Sequence, residues 1–226
     1  MKVADARTLF PAAALLFTGL SLHANTLAPG GTVSPDVFPF TTPPLLGHVK
    51  GTFDFDSGAL TGSYKEDVLV DPFGVTCAGC LDFAYQISLD PGLSSAIFNL
   101  NLALYVGFTT DVGYVSGSGD VAPGNVNRID AIHGGIVGFF FGNAADPLLL
   151  PGDSSDILVV ATDATAFDTR GGVTIFAGPS SDVVSGTILG LFEPAAVPEP
   201  STALLVGIGL AAIVVLGKLR IRRSKA

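Results

Sequence analysis

The sequence lacks tryptophan and is poor in cysteine and in basic side chains. It has no Trp and two Cys, and only 11 of its 226 residues are Lys or Arg. Two Cys cannot build the multi-bridge framework of a small secreted domain. A structural zinc ion needs about four Cys or His ligands, and between the chain ends only His48 and His133 could join the two Cys. We therefore expect no metal centre and no cofactor.

The basic side chains are concentrated at the chain ends. Seven of the 11 lie in the first seven or last nine residues, so residues 25–200 carry 4 basic and 19 acidic side chains, a formal charge of −15. An acidic surface repels phosphate backbones, which argues against nucleic acid as a partner. Scattered carboxylates are also hard oxygen ligands, so the composition leaves binding of a divalent cation open.

The N-terminal segment has the organisation of a secretion signal. Lys2 and Arg7 form a basic start, Leu9–Leu22 is an apolar run, and Ala24 offers a small residue at a cleavage position. The run is interrupted and too short for a membrane span, although an uncleaved N-terminal anchor is the alternative. We predict a signal peptide over residues 1–24 and an exported body.

The C-terminal segment predicts a transmembrane helix with a basic tail. Residues 202–217 carry no charge, and 16 residues of helix would be about 24 Å long. Five basic residues follow in residues 218–226 and should stay in the cytoplasm, which places the body outside. A buried helix of a soluble domain is the alternative. The tail residues are Lys218, Arg220, Arg222, Arg223 and Lys225.

A proline-rich tetrapeptide, Val197-Pro198-Glu199-Pro200, stands directly before this segment. Proline fixes φ and disfavours helix in the residue before it, so the tetrapeptide should be extended where the chain meets the membrane. With the apolar segment and the basic end, residues 196–226 resemble the PEP-CTERM sorting domain of Gram-negative bacteria. The resemblance implies processing by exosortase, a membrane-embedded peptidase, and an association with exopolysaccharide and biofilm formation.

The middle of the chain shows the alternation of strands. Apolar residues occupy every second position in Leu81–Leu89 and Phe98–Phe108, and Gly51–Asp56 turns into Ala59–Val70 as a hairpin. We predict an all-β, antiparallel β-sandwich over residues 47–191, with a closed barrel as the alternative. A Pro-rich lead-in at 25–46 and a linker at 192–201 flank it. Further predicted strands are Arg128–Phe141, Asp156–Thr162, Gly172–Ala177 and Val183–Leu191.

Cys77 and Cys80 form the only cysteine pair. In an oxidising compartment the two thiols should form a structural disulfide. A thioredoxin-like redox pair would sit at the start of a helix, whereas the residues that follow Cys80 alternate as a strand. A structural role is therefore the main interpretation, with redox chemistry as the alternative.

Other motifs point to turns rather than to catalysis. Asp54 and Asp56 before Gly58 match only part of a calcium loop, and the pair Asp153 and Asp156 matches less. Ser116–Asp120 lacks the strand–turn–helix setting of a hydrolase nucleophile. We therefore predict a non-catalytic envelope or matrix protein without catalytic residues. The alternatives are a secreted enzyme acting on polysaccharide, and a calcium- or sugar-binding module with the same C-terminal signal.

Overall fold

A computed structural model describes residues 25–38, 44–71, 76–130, 132–142, 148–178 and 183–196. These residues form strands and loops and contain no helix, as the alternating pattern predicts. The strands are β1 (Asn25–Thr26), β2 (Thr32–Val33), β3 (Asp36–Phe38), β4 (Leu45–Phe55), β5 (Leu60–Val70), β6 (Leu81–Leu89), β7 (Ile97–Ala103), β8 (Thr110–Val115), β9 (Asn125–Ile129), β10 (Ile136–Phe140), β11 (Ile157–Thr162), β12 (Ala166–Ala177) and β13 (Val184–Ala195).

The strands form two sheets. The front sheet has the order β1-β8-β11-β6-β5-β4, and β3 also pairs with β8. The back sheet has the order β13-β12-β7-β10-β9-β2. All pairings are antiparallel except that of β3 with β8. This all-β, two-sheet arrangement fits the predicted sandwich.

One apolar core lies between the sheets, because alternate residues of each strand point inward. Burying an aliphatic or aromatic side chain of this kind stabilises the fold by about 1.5–3 kcal/mol. The core includes, from the front sheet, Phe83, Ile87, Leu158 and Val160, and from the back sheet, Leu100, Leu102, Phe139, Val173 and Ile175.

The strand predicted over Phe98–Phe108 is shorter than the alternation indicates. It ends at Ala103, and Leu104 has a positive φ of 76°. This conformation reverses the side-chain order, so that Tyr105 is fully buried while Val106 is exposed. The Tyr105 hydroxyl lies 2.8 Å from the hydroxyl of Tyr85. A buried hydroxyl needs such a partner, which explains why a tyrosine can occupy this core position.

The single strand predicted over Arg128–Phe141 is in fact a hairpin. β9 and β10 pair antiparallel, and the chain reverses between Ile129 and Ile136. Asp130 and Gly134 both have positive φ, of 75° and 56°. Apolar residues stand on both sides of the turn, so the alternation of apolar residues in the sequence does not reveal where the chain reverses.

The structure also differs at both ends of the sandwich. Part of the lead-in forms the short strands β1–β3, and β13 continues through Ala195 into the predicted linker. The predicted signal peptide, transmembrane helix and basic tail lie outside the described residues. Within the described part of the chain, no helix is long and apolar enough to cross a membrane.

Candidate functional site

The C-terminal end of β13 is the point at which the body leads into the predicted sorting segment. The backbone N–H of Phe192 donates a 2.8 Å hydrogen bond to Oε2 of Glu66 on β5. The Phe192 ring packs edge-to-face on Phe167, with centroids 5.1 Å apart. Glu193 is 3% exposed, and its Oε1 lies 3.3 Å from Nε of Arg170. These contacts fix the strand up to a few residues before Val197.

Two buried glutamates at this end have unusual proton affinities. Burial raises the pKa of Glu66 to about 7, although the Phe192 N–H and the Tyr85 hydroxyl favour its charged form. Burial, followed by hydrogen bonding and repulsion from Asp168, raises the pKa of Glu193 to about 7 as well. A carboxyl taken out of water is costly to ionise, and this cost exceeds what the hydrogen bonds return.

The predicted sorting residues Val197, Pro198, Glu199 and Pro200 and the basic residues from Lys218 to Lys225 lie outside the described residues. The structure therefore shows the contacts that hold the end of β13, whereas the motif is known from the sequence alone. Ala196 is the last described residue. The body thus extends to the position directly before the predicted motif.

The two cysteines lie at a disulfide distance. Their Cα atoms are 5.3 Å apart, within the usual range for a bridge. Strand β6 begins at Leu81, directly after Cys80, and the N–H of Asp71 donates to the Cys80 carbonyl at 2.8 Å. The pair therefore closes the end of the loop between β5 and β6, and no helix follows it as a redox motif would require.

Three aspartates of the incomplete calcium patterns accept hydrogen bonds from backbone N–H groups of turns and loops. Oδ1 of Asp54 accepts a 2.7 Å hydrogen bond from the N–H of Gly58. Asp153 accepts one from Leu150, and Asp156 accepts one from Gly119 at 2.8 Å. Within the described ranges, no group of three or more His, Cys, Asp or Glu is placed to hold a metal ion.

The serine-rich loop and His133 also make local contacts. The Ser118 hydroxyl donates to the Val115 carbonyl at 2.6 Å and accepts from the N–H of Ile157 at 2.7 Å. His133 lies in the β9–β10 turn, where its Nδ1 is 3.0 Å from Asp130. The serine is thus hydrogen-bonded to neighbouring strands rather than to a histidine.

A polar cleft on the outer face of the front sheet was not predicted. It has a volume of about 460 Å³ and is lined by residues of β4, β5 and β6. Lys50 and Lys65 lie opposite each other there on neighbouring strands. Because they are far apart in sequence, only the register of the β4–β5 hairpin brings them together.

Comparison with known proteins identifies the C-terminal segment. No curated protein and no solved structure matches the chain significantly. Residues 196–223 match the family model of the PEP-CTERM protein-sorting motif. The match begins one residue after β13 ends at Ala195, and it covers the proline-rich tetrapeptide, the apolar segment and part of the basic tail. The chain therefore carries a PEP-CTERM protein-sorting motif directly behind its β-sheet body.

Proposed function

We propose that this chain is an exported cell-envelope or extracellular-matrix protein that is sorted through its C-terminus. The observation that carries this proposal is the PEP-CTERM motif at residues 196–223, which follows a folded body without an intervening domain. The motif is associated with processing by exosortase, so the proposed partner is a membrane peptidase of that type. Residues 1–24 would start export, and residues 202–217 would hold the precursor in the bilayer.

The proposed role of the body is adhesion or matrix filling without catalysis. This proposal is supported by the contacts of the polar side chains that were candidates for a metal or catalytic site. Asp54, Asp156 and Ser118 are hydrogen-bonded to backbone groups of turns and strands. The net charge of −15 for residues 25–200 keeps such a body soluble. A secreted enzyme would need a reactive constellation in addition to these structural bonds.

The sorting proposal is tested by changing Pro198, Glu199 and Pro200 to alanine together in the native host. We expect full-length chain to accumulate in the inner membrane. The processed form should fall at least about tenfold, because losing about 1.4 kcal/mol of recognition energy already changes an affinity by that factor. The amounts are measured by immunoblot of membrane and extracellular fractions.

A matched control for this experiment is Pro91→Ala, which removes an exposed proline from the loop after β6. It should be processed like the natural chain. If the triple variant is processed as efficiently as this control, the motif does not direct sorting and the proposal is wrong.

A further inference from the structure

Two rows of polar side chains run side by side across β4, β5 and β6 on the outer face of the front sheet. In the first row Lys50 pairs with Lys65, which pairs with Gln86. In the second row Thr52 pairs with Ser63, which pairs with Ser88. Alternate residues of a strand share a face, so the two rows are neighbours. Together with Gly51 and Tyr64 they line the cleft of about 460 Å³.

The first row puts two like charges opposite each other. Cross-strand partners have Cβ atoms about 4.5–5.5 Å apart, and like charges in this arrangement destabilise a sheet. Nζ of Lys65 lies 2.6 Å from Asp67, which also contacts His48 at 2.6 Å. Lys50 is exposed and has no acidic partner among the residues that the structure describes. Asp67 therefore neutralises Lys65, and Lys50 contributes the unpaired positive charge of this row.

The other basic side chains of the body serve different purposes. Arg128 is buried, and its five hydrogen bonds are all to carbonyl and hydroxyl oxygens of the protein. Arg170 is paired with Asp168 and Glu193. In a body with 4 basic and 19 acidic residues, both lysines stand on one small area of one sheet. Lys50 stands on the edge strand β4, where a lysine also discourages pairing with another chain, and an anionic ligand would relieve the repulsion between the two opposed lysines.

The second row offers neutral hydrogen-bonding groups beside the lysines. Thr52 and Ser63 are exposed, and the Ser88 hydroxyl is held 2.7 Å from that of Ser154. The Gln86 amide is fixed by donating to the carbonyls of Ser118 and Ser155. Hydroxyl groups can both donate and accept, so this row matches the hydroxyl groups of a sugar.

We propose that this cleft binds a carboxylate- or sulfate-bearing sugar unit of an acidic polysaccharide. The anionic group lies between the Lys50 and Lys65 ammonium groups, and the sugar hydroxyls contact the Thr52–Ser63–Ser88 row. The lining residues include no aliphatic apolar side chain that would enter a bilayer, which favours a hydrated polymer over a lipid headgroup. The inference rests on the proposed function because only an exported body meets such polymers.

The test is retention of the purified full-length chain, in detergent, on immobilised polygalacturonate, a sulfated dextran and neutral dextran. The parent chain and all variants carry Lys218→Gln, Arg220→Gln, Arg222→Gln, Arg223→Gln and Lys225→Gln, so that the basic tail cannot bind the anionic matrix. We expect retention on one or both anionic polymers, release by about 0.5 M NaCl, where charges are screened within about 4 Å, and none on neutral dextran. Because exposed ion pairs are weak, Lys50→Gln should lower the affinity about threefold, and Lys50→Gln with Lys65→Gln about tenfold.

Arg170→Gln is the matched control, since it removes one positive charge from an exposed side chain on β12 of the other sheet. It should leave retention unchanged. The proposal is overturned if the double lysine variant binds like the parent chain, if Arg170→Gln loses as much affinity as Lys50→Gln, or if only anionic lipid vesicles retain the protein. Binding is measured on unprocessed chain, so failure of sorting cannot produce any of these results.

Discussion

Replacing Arg128 with methionine is expected to destabilise the body by about 3–5 kcal/mol, because several buried oxygens lose their hydrogen-bond donor, and a loss of that size is a large part of the stability of an ordinary domain. Arg128 is 4% exposed, and its guanidinium donates five hydrogen bonds. The acceptors are Gly134 O at 2.7 Å, Leu27 O at 3.1 Å, Thr110 Oγ1 at 3.1 Å, Tyr105 O at 2.8 Å and Phe108 O at 2.7 Å.

These bonds join the first residues of the body, the loop after β7, the start of β8 and the β9–β10 turn. Methionine fills a similar volume but donates no hydrogen bond, so buried carbonyl oxygens would lose their partners, at about 1–3 kcal/mol each before water compensates. Lysine at position 128 would keep the positive charge, but its ammonium group has three N–H donors on one nitrogen in place of the five on the planar guanidinium. It should therefore recover only part of the loss.

The loss is measured as the midpoint of urea unfolding followed by circular dichroism. Lys50→Met is the matched control, because it removes an exposed basic side chain and should change stability by no more than about 0.5 kcal/mol. An Arg128→Met variant as stable as Lys50→Met would contradict the structural role given to the guanidinium.

The body is also expected to become more stable as pH falls from 8 to 5, the reverse of what paired surface carboxylates produce. The main cause is Asp82 on β6, which is 3% exposed and whose Oδ1 has no hydrogen-bond partner among the described residues. Burial, followed by repulsion from Asp71 and Asp111, raises its pKa to about 8. Asp82 and Asp111 lie on either side of Ala161, with which both pair.

The sign follows from the direction of the shift. The pKa of Asp82 is higher in the folded chain than in the unfolded chain, so ionisation above pH 8 costs folding free energy. The free energy of unfolding therefore rises as pH falls through 8, because the folded carboxyl becomes protonated. It stops rising near pH 4, where the carboxyl of the unfolded chain is protonated as well. Glu66 and Glu193, with pKa values of about 7, act in the same direction.

Asp82→Asn removes the charge while keeping the shape, so it should stabilise the body at pH 8 by on the order of 2–4 kcal/mol and flatten the pH dependence. Thermal melting between pH 5 and 8 measures both effects. Asp90→Asn, at an exposed position after β6, is the control and should follow the natural chain. If the natural chain loses stability steadily from pH 8 to 5, or Asp82→Asn melts lower than it at pH 8, this explanation is wrong.

The sequence predicts those parts of the fold that depend on a short local pattern, such as a turn sequence or an alternation of apolar residues. The β4–β5 hairpin is predicted because Asp56-Ser57-Gly58 can adopt the left-handed turn that the structure shows, with φ of 52°, 54° and 94°. Strand β6 is predicted because its inward residues alternate without interruption. Strands β1 to β3 have two or three residues each, which is too short for any alternation.

The lysine cleft could not be predicted from the sequence for a related reason. Lys50 and Lys65 are 15 positions apart, and whether they meet depends on a hairpin register that one residue of slip would change. The buried carboxyl of Asp82 is equally hidden. It stands between Leu81 and Phe83 in an alternating strand, where an outward polar residue is expected to be exposed, yet other parts of the chain cover it. The sorting motif, by contrast, is local in sequence and needs no fold to be recognised.

The most direct test of the account is the intact mass of the mature chain, taken separately from membranes and from the extracellular fraction of the native host. We predict a chain that has lost residues 1–24 and the segment beyond Pro198–Pro200, with any added mass at the new C-terminus identifying its attachment. A chain that still ends at Ala226 and is found only in the inner membrane would contradict C-terminal sorting and leave an anchored periplasmic domain.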